Sequence, residues 1–250
     1  MLMRRWVGLV IVVPAVLLVS QALPADAAPA IPSQVAAAWT FDSVGTASAA
    51  SDASGHGRDL TLSGSWSPSP GSAGTDAARF GARSFGSNGD LSLAPGPADV
   101  AVTVLMRSLV NRPTADSPNV VQMGLYSDPG QLKLQISKNG TGRAECRFKG
   151  TAGNLLLAGP AIDVTDGGWH AVTCWRQGGT VGVSVDGVSS TRARAVGSIG
   201  SIRPLTVAAR GLAPTDASDQ FVGDLDVVVW AVGADARAAA ESYATSLAKP

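Results

Sequence analysis

Two carboxylates stand two residues apart near the C-terminal end, in the run Asp219-Gln-Phe-Val-Gly-Asp-Leu-Asp-Val-Val228. On a strand, Asp224 and Asp226 share a face, so they could act as an acid/base pair or help to hold a structural ion. Glycoside hydrolysis needs two carboxyls flanking the bond, about 5–5.5 Å or 6.5–9.5 Å apart. Glycosidases commonly display them as E-x-D-x-x-E, a pattern this chain lacks. Its only two glutamates, Glu145 and Glu241, fall on a polar strand face and in a terminal helix. A structural ion site or a solvated turn is the favoured reading of the aspartates. A divergent hydrolase or lyase working through aspartates is the alternative.

The other catalytic types are equally sparse. The two histidines are His56, in a Ser-Gly-His-Gly turn, and His170, directly after Trp169. No G-x-S-x-G elbow appears: Gly197-Ser-Ile-Gly-Ser201 and Gly86-Ser-Asn-Gly89 are wrongly spaced. No H-E-x-x-H, phosphate loop or dinucleotide fingerprint is present. Binding therefore leads over catalysis. Exposed aromatic faces stack on sugar rings, and beyond residue 27 the tryptophans are Trp39, Trp66, Trp169, Trp175 and Trp230. Trp39, Trp169 and Trp230 lie in strand-like runs and are expected in the core. Trp66, in a Ser/Pro-rich stretch, and Trp175, at a strand end, are the candidate ligand-binding residues.

The chain carries 19 basic and 19 acidic residues in 250, with 45% hydrophobic and only 15% charged content. A neutral balance without basic runs argues against nucleic acid as a partner. Low charge with abundant apolar residues excludes a disordered or coiled-coil chain. At the N-terminus, Arg4 and Arg5 precede an apolar run from Val7 to Val19, broken by Pro14 and followed by Ala25-Asp26-Ala27. A basic head, a short apolar core and an A-x-A step form a secretory signal. The run is short of the roughly 20 residues a span needs, so cleavage after Ala27 is expected over a retained anchor. Residues 28–34 read as a flexible lead-in and residues 35–250 as one domain, secreted to the extracellular space.

Almost all of that domain reads as strands. Gln131-Leu-Lys-Leu-Gln-Ile-Ser137 and Arg143-Ala-Glu-Cys-Arg-Phe-Lys149 alternate with period two, which gives each a wet face and a buried one. Asn139-Gly140, between them, is a strong hairpin signal. Trp169–Arg176 and Thr180–Val185 flank Gly178-Gly179, and Asp186-Gly187 turns the chain again. Val100–Leu109, Pro204–Ala209 and Gln220–Trp230 add further strands. One helix is expected over Asp235–Leu247, capped by Asp235 and packed on the sandwich edge through Ala236, Ala239, Ala240, Tyr243 and Leu247. The class is an all-β antiparallel sandwich with a short C-terminal helix.

Two cysteines, Cys146 and Cys174, each share a strand face with apolar residues. In an exported protein such a pair forms a disulfide, here expected to join neighbouring strands. No C-x-x-C spacing supports a metal or redox reading.

Four segments carry a family resemblance. Ala38-Trp-Thr-Phe-Asp42 with Asp52-Ala-Ser-Gly-His-Gly-Arg-Asp-Leu60 resembles the opening of laminin-G-like, concanavalin-type jelly rolls. Asp166-Gly-Gly-Trp-His-Ala-Val-Thr-Cys174 is similar to their D-G-x-W-H-x-V strand, and Thr180-Val-Gly-Val-Ser-Val-Asp-Gly187 to the hairpin after it. The run through Asp224 and Asp226 resembles their closing F-x-G-x-[IL]-D-x-V strand. The cysteine placement is similar to secreted actinobacterial members. The resemblance implies a two-sheet jelly roll, often stabilised by calcium and often binding glycans or extracellular and cell-surface proteins. It also implies that the first and last strands lie side by side, bringing Asp42 near Asp226. Two such carboxylates, with carbonyls from the turn near Asp52, form the expected site for a structural Ca2+.

Overall fold

Strands form wherever apolar residues alternate with small or polar ones, and turns fall where glycine or aspartate accepts a positive φ. The computed structural model describes residues 29–42, 48–212 and 219–249. The expected signal, residues 1–27, lies outside them. In chain order the first strands are β1 Val35–Thr40, β2 Ala49–Ala50, β3 Leu60–Ser63, β4 Trp66–Pro70, β5 Asp76–Phe80 and β6 Phe85–Asn88. Then come β7 Val100–Ser108, β8 Asn119–Met123, β9 Gln131–Ile136, β10 Ala144–Gly150 and β11 Gly153–Ala158. The last are β12 His170–Gln177, β13 Thr180–Val185, β14 Val188–Ala193, β15 Leu205–Val207 and β16 Gly223–Val232, followed by helix α1 Ala236–Leu247.

The strands form two antiparallel sheets. The first runs β14-β13-β12-β7-β16-β5-β4, with β1 also paired to β16. The second runs β11-β10-β9-β8-β15-β6-β3-β2. This is the all-β jelly-roll sandwich with one C-terminal helix read from the sequence. Its core lies between the sheets and includes Trp39, Trp230, Phe41, Phe80, Phe148 and Phe221, all fully buried. Trp39 and Trp230 keep their indole N–H groups satisfied by the carbonyls of Arg58 (2.7 Å) and Leu93 (3.0 Å), as a buried indole requires. Trp169 departs from its expected core place. It is half-buried, with the Arg107 guanidinium 4.9 Å above its ring.

Cys146 and Cys174 are bonded, but not between neighbours in one sheet. Cys146 belongs to β10 of the second sheet and Cys174 to β12 of the first. Both side chains point inward, and inward positions of opposite sheets meet at the midplane. The bond thus staples one layer to the other. With 28 residues of separation, closure stabilises by about 3–4 kcal/mol on the chain-entropy account.

The helix also differs in place. It lies across the outer face of the first sheet, not on an edge: Ala236, Ala239, Ala240, Tyr243 and Ala244 pack with Val35, Ala38, Ala101, Trp175, Val227 and Val229. Small residues on both surfaces allow that close approach. Asp235 takes a left-handed φ of 61° and makes no side-chain cap; its carbonyl, not its carboxylate, receives the Ala239 N–H. The Asp186-Gly187 turn is tight, with φ 49° and 82°, as a two-residue hairpin demands. The Asn139-Gly140 connection is longer than a two-residue turn, since Ser137 N–H closes on Arg143 O at 2.8 Å.

Candidate functional site

Alternation that sends Leu132, Leu134, Ile136, Cys146 and Phe148 into the core sends Gln131, Lys133 and Gln135 of β9, and Glu145, Arg147 and Lys149 of β10, outward. Antiparallel register then lines up Thr61, Ser87, Thr206, Gln122, Lys133 and Arg147 across six strands of the second sheet. A second row sets Asn119 against Gln135 and Gln135 against Glu145. The face expected to be wet is in part closed: Gln122, Gln131, Gln135 and Thr206 are buried. Gln135 Nε2 donates to Glu145 Oε2 at 2.8 Å, Gln122 Nε2 to Arg210 O at 2.9 Å and Gln131 Nε2 to Gly124 O at 3.1 Å. Among the described residues, the carbonyl oxygens of Gln131 and Gln135 and both polar atoms of Asn119 have no hydrogen-bond partner.

At the rim of this face stands Tyr126, 62% exposed. Arg147 and Lys149 each lie 5.2 Å from its ring centroid, a cation–π arrangement that fixes the ring while leaving much of it to solvent. A pocket of about 140 Å³ opens beside Gln122 and Thr206, walled by Arg203, Arg210 and Leu212. Burial pushes the Lys133 amine down to about 8; neighbouring Arg147 and Arg210 push the same way, against the pull of Asp219 and Glu145. Lys133 makes no ion pair among the described residues, whereas Arg203 holds Asp128 at 2.7 Å.

The aspartates of β16 have different surroundings although two residues apart. Asp224 accepts from Arg79 Nε (2.8 Å), Arg107 Nη2 (2.6 Å) and Ser69 Oγ (3.1 Å). Burial pushes its carboxyl up, but these bonds and the Arg79 charge outweigh it, and the pKa falls below the carboxylate range. Asp226 sits at a bulge, where β16 stops pairing with β5 and begins pairing with β1. Its Oδ2 accepts from Ser72 N–H (2.7 Å), Ser72 Oγ (2.7 Å) and Thr75 Oγ1 (3.0 Å), while its buried Oδ1 has no partner. Asp42 Oδ1 accepts from Asp76 N–H at 3.0 Å, so both carboxylates fasten adjacent residues of one loop. The Asp52 turn is not part of this corner. Its carboxylate serves the N–H groups of Ala38, Ser54 and Arg58. Among the described residues no three His, Cys, Asp or Glu side chains converge as a metal cluster. Asp224 and Asp226 are both 0% exposed, closed to a substrate.

His170 places Nδ1 2.7 Å from Asp186 and Nε2 3.0 Å from Asp166. Burial disfavours its charge, but the hydrogen bonds and charges of Asp186 and Asp166 prevail and raise its pKa. It clamps the β13–β14 turn to the start of β12. His56 contacts Ser54 Oγ at 3.0 Å within its own turn.

The tryptophans singled out for stacking lie elsewhere. Trp66 starts edge strand β4 and packs half-buried against the core. Trp175 is 5% exposed, beneath α1, with Arg237 4.7 Å over its ring. A Cβ on Gly182 would lie 2.2 Å from that ring, so glycine is required there. Both faces of Trp175 are occupied by protein.

No family model and no curated protein sequence matches the chain. Solved structures do. Domain 4 of a GH43 extracellular arabinanase from Geobacillus stearothermophilus, solved in complex with arabinotriose, superposes with a TM-score of 0.57 at 15% identity, over 86% of this chain and 98% of that one. Domains LG4-5 of the mouse laminin α1 chain give 0.50 at 16% identity, over 68% and 46%. The binding domain of botulinum neurotoxin serotype D gives 0.57 at 10% identity, over 84% and 50%. The fold is the laminin-G-like, concanavalin-type jelly roll. The chain spans about half the length of the laminin and neurotoxin structures.

Within this laminin-G-like sandwich, sequence reading passed over Tyr126, Lys133, Arg147 and the amide row. A usable signal was there. Gln131, Lys133 and Gln135 are long polar side chains where an ordinary solvated strand face often carries Thr or Ser. Tyr126 lies in a loop beside Asp128-Pro-Gly, with no periodicity to mark it. Among the described residues no helix is long and apolar enough to cross a membrane.

Proposed function

We propose that this chain is a secreted, non-catalytic binding module whose ligand is a saccharide, held on the outer face of the second sheet. The observation that carries the reading is Tyr126, exposed and fixed over Arg147 and Lys149 on a sheet face that also opens a pocket of about 140 Å³ lined by Gln122, Arg203 and Arg210. A sugar ring offers an apolar C–H face for the tyrosine and hydroxyl oxygens for the guanidinium groups at the pocket wall. A binding site needs that mixture of flat apolar surface and a few oriented polar groups. The fold likeness to a domain solved with arabinotriose supports the reading without naming the sugar.

The test is an oligosaccharide array run beside a reducing-sugar release assay on the same protein. Tyr126→Ala is expected to weaken saccharide binding at least tenfold with unchanged melting. Absence of binding across the array, or release of product, overturns the reading.

Export accompanies this function. The basic head, short apolar run and Ala25-Asp26-Ala27 step support cleavage after Ala27, so exported protein should begin near Ala28. N-terminal sequencing that finds Met1 intact contradicts this.

A structural calcium ion also fits the residues present. Among the described residues, Asp226 Oδ1 is a buried carboxylate oxygen without a donor, and no arginine pairs with Asp226 as Arg79 and Arg107 pair with Asp224. Asp226 and Asp42, with oxygens of the Gly71–Thr75 loop, would hold the ion. Bound there, it would supply positive charge and tie the β1 end to β16. Extracellular sites bind at about 0.1–1 mM, so millimolar calcium should raise the melting temperature by mass action, and Asp226→Ala should abolish the rise.

A further inference from the structure

We propose that the saccharide bound on the second sheet carries carboxylates: the face formed by Lys133, Arg147, Lys149 and Tyr126 selects uronate-bearing oligosaccharides over neutral ones. This rests on the saccharide reading and adds its ligand class.

The chain has equal numbers of acidic and basic residues, so a local surplus of cations has to come from placement. On β9 and β10, Lys133 and Arg147 are direct cross-strand partners. Like charges directly opposite on a sheet destabilise it. Several other cations are held by acids: Arg58 by Asp90, Arg112 by Asp163, Arg203 by Asp128 and Arg237 by Glu241. Here the available acid is diverted. Glu145 accepts from Gln135, and Arg147 donates to the neutral amide oxygen of Asn154 at 3.0 Å. Lys149 donates to the backbone carbonyls of Tyr126 and Asp128. Among the described residues, Lys133, Arg147 and Lys149 have no carboxylate within ion-pair distance, and all three project from the face that presents Tyr126.

The electrostatics agree with the geometry. Lys133 is half-buried, and its amine is pushed down to about 8, first by burial and then by Arg147 and Arg210 against Asp219 and Glu145. The groups facing it are Gln122 from β8, Arg147 and Glu145 from β10, and Arg210 and Asp219 beyond them. An incoming carboxylate reverses that balance. It pairs with Lys133 and Arg147, favours the charged form of the amine and relieves the repulsion. A uronate also brings the ring that Tyr126 can stack on, which a free inorganic anion lacks.

The experiment is titration calorimetry with oligogalacturonate, alginate-derived oligouronates and glucuronate-containing oligosaccharides. Each is paired with its carboxyl-reduced neutral counterpart, and a sulfated dextran oligomer is run alongside. At least one uronate is expected to bind tenfold or more tighter than its reduced form, and added salt should shrink that advantage as screening predicts. Lys133→Met and Arg147→Gln should each remove most of the advantage, read in each variant as the ratio of its affinities for the uronate and for the reduced counterpart. Between pH 7 and pH 9, wild-type affinity for the uronate should fall about tenfold as the Lys133 amine is lost, and Lys133→Arg should hold it constant. Equal affinity for uronates and their reduced forms overturns the carboxylate inference and leaves the saccharide reading standing. So does preference for the sulfated oligomer. Binding to none of the sugars overturns both.

Discussion

The two outer faces of the sandwich begin from the same period-two alternation and end in opposite states. On the first sheet the outward residues are Ala101, Leu105, Val227 and Val229, with Trp175 among them, and α1 seals much of that surface. On the second they are Gln122, Lys133, Gln135, Arg147 and Lys149, and no helix among the described residues covers them. Alternation says only that a strand has two faces. The size and polarity of the outward residues separate the two faces: small apolar groups accept a helix, and long amides and cations do not. Two neighbouring aspartates repeat the lesson at smaller scale. Asp224 is neutralised by arginines from β5 and β7, while Asp226, at the bulge, has only hydroxyl and amide donors.

The contrast can be broken most severely on the sealed side. Trp175→Ala removes the ring that fills the space between Gly182 and Arg237, and should cost about 3–5 kcal/mol in urea denaturation. A loss under about 1 kcal/mol, within the range of an ordinary surface change, would mean that the helix does not rest on this face. Replacing both Cys146 and Cys174 by alanine should cost about 3–4 kcal/mol, and free-thiol titration of the native chain under denaturing, non-reducing conditions should find none. On the open side, Lys133→Met should not destabilise the fold, because it removes a half-buried charge that burial and the cross-strand Arg147 oppose. A loss as large as that of Trp175→Ala would make this face structural.

The smallest expected effect belongs to His170. Its pKa is raised in the fold, so its stabilisation is complete below the ordinary imidazole value of about 6.5 and fades as pH rises through the folded value. Denaturation from about pH 6 to about pH 8 should show that decline in the wild type, and His170→Gln should flatten it.

Much of the fold was legible in the sequence because its signals are local. Thr180–Val185 and the Asp186-Gly187 turn appear where alternation and positive-φ residues put them, and the helix face Ala236, Ala239, Ala240, Tyr243 is buried as its spacing implies. Sheet membership is not local. The inward pointing of Cys146 and Cys174 fits both a neighbouring strand and a facing one, and only the global order of strands decides between them. Trp175 illustrates the same limit. Its position at a strand end suggested exposure, yet the residues that bury it lie about 60 positions later, in α1. The candidate site was the least legible part, since Tyr126, Lys133 and Arg147 come from separate segments and meet only through register.

The inter-sheet staple has a mechanical consequence. It sits toward one margin of the sandwich: β10 is second from its sheet edge at β11, and β12 third from its edge at β14. At the other end of each sheet, β4 and β5 in the first and β2 and β3 in the second carry no covalent tie. The two layers are therefore bound like a book along one side, and a breathing motion gapes at the loose pages. Amide exchange and extracellular proteases should find β3 to β6 well before they find β8, β9 and β10. The proposed saccharide face lies on those bound strands, so it should stay assembled while the far edge opens.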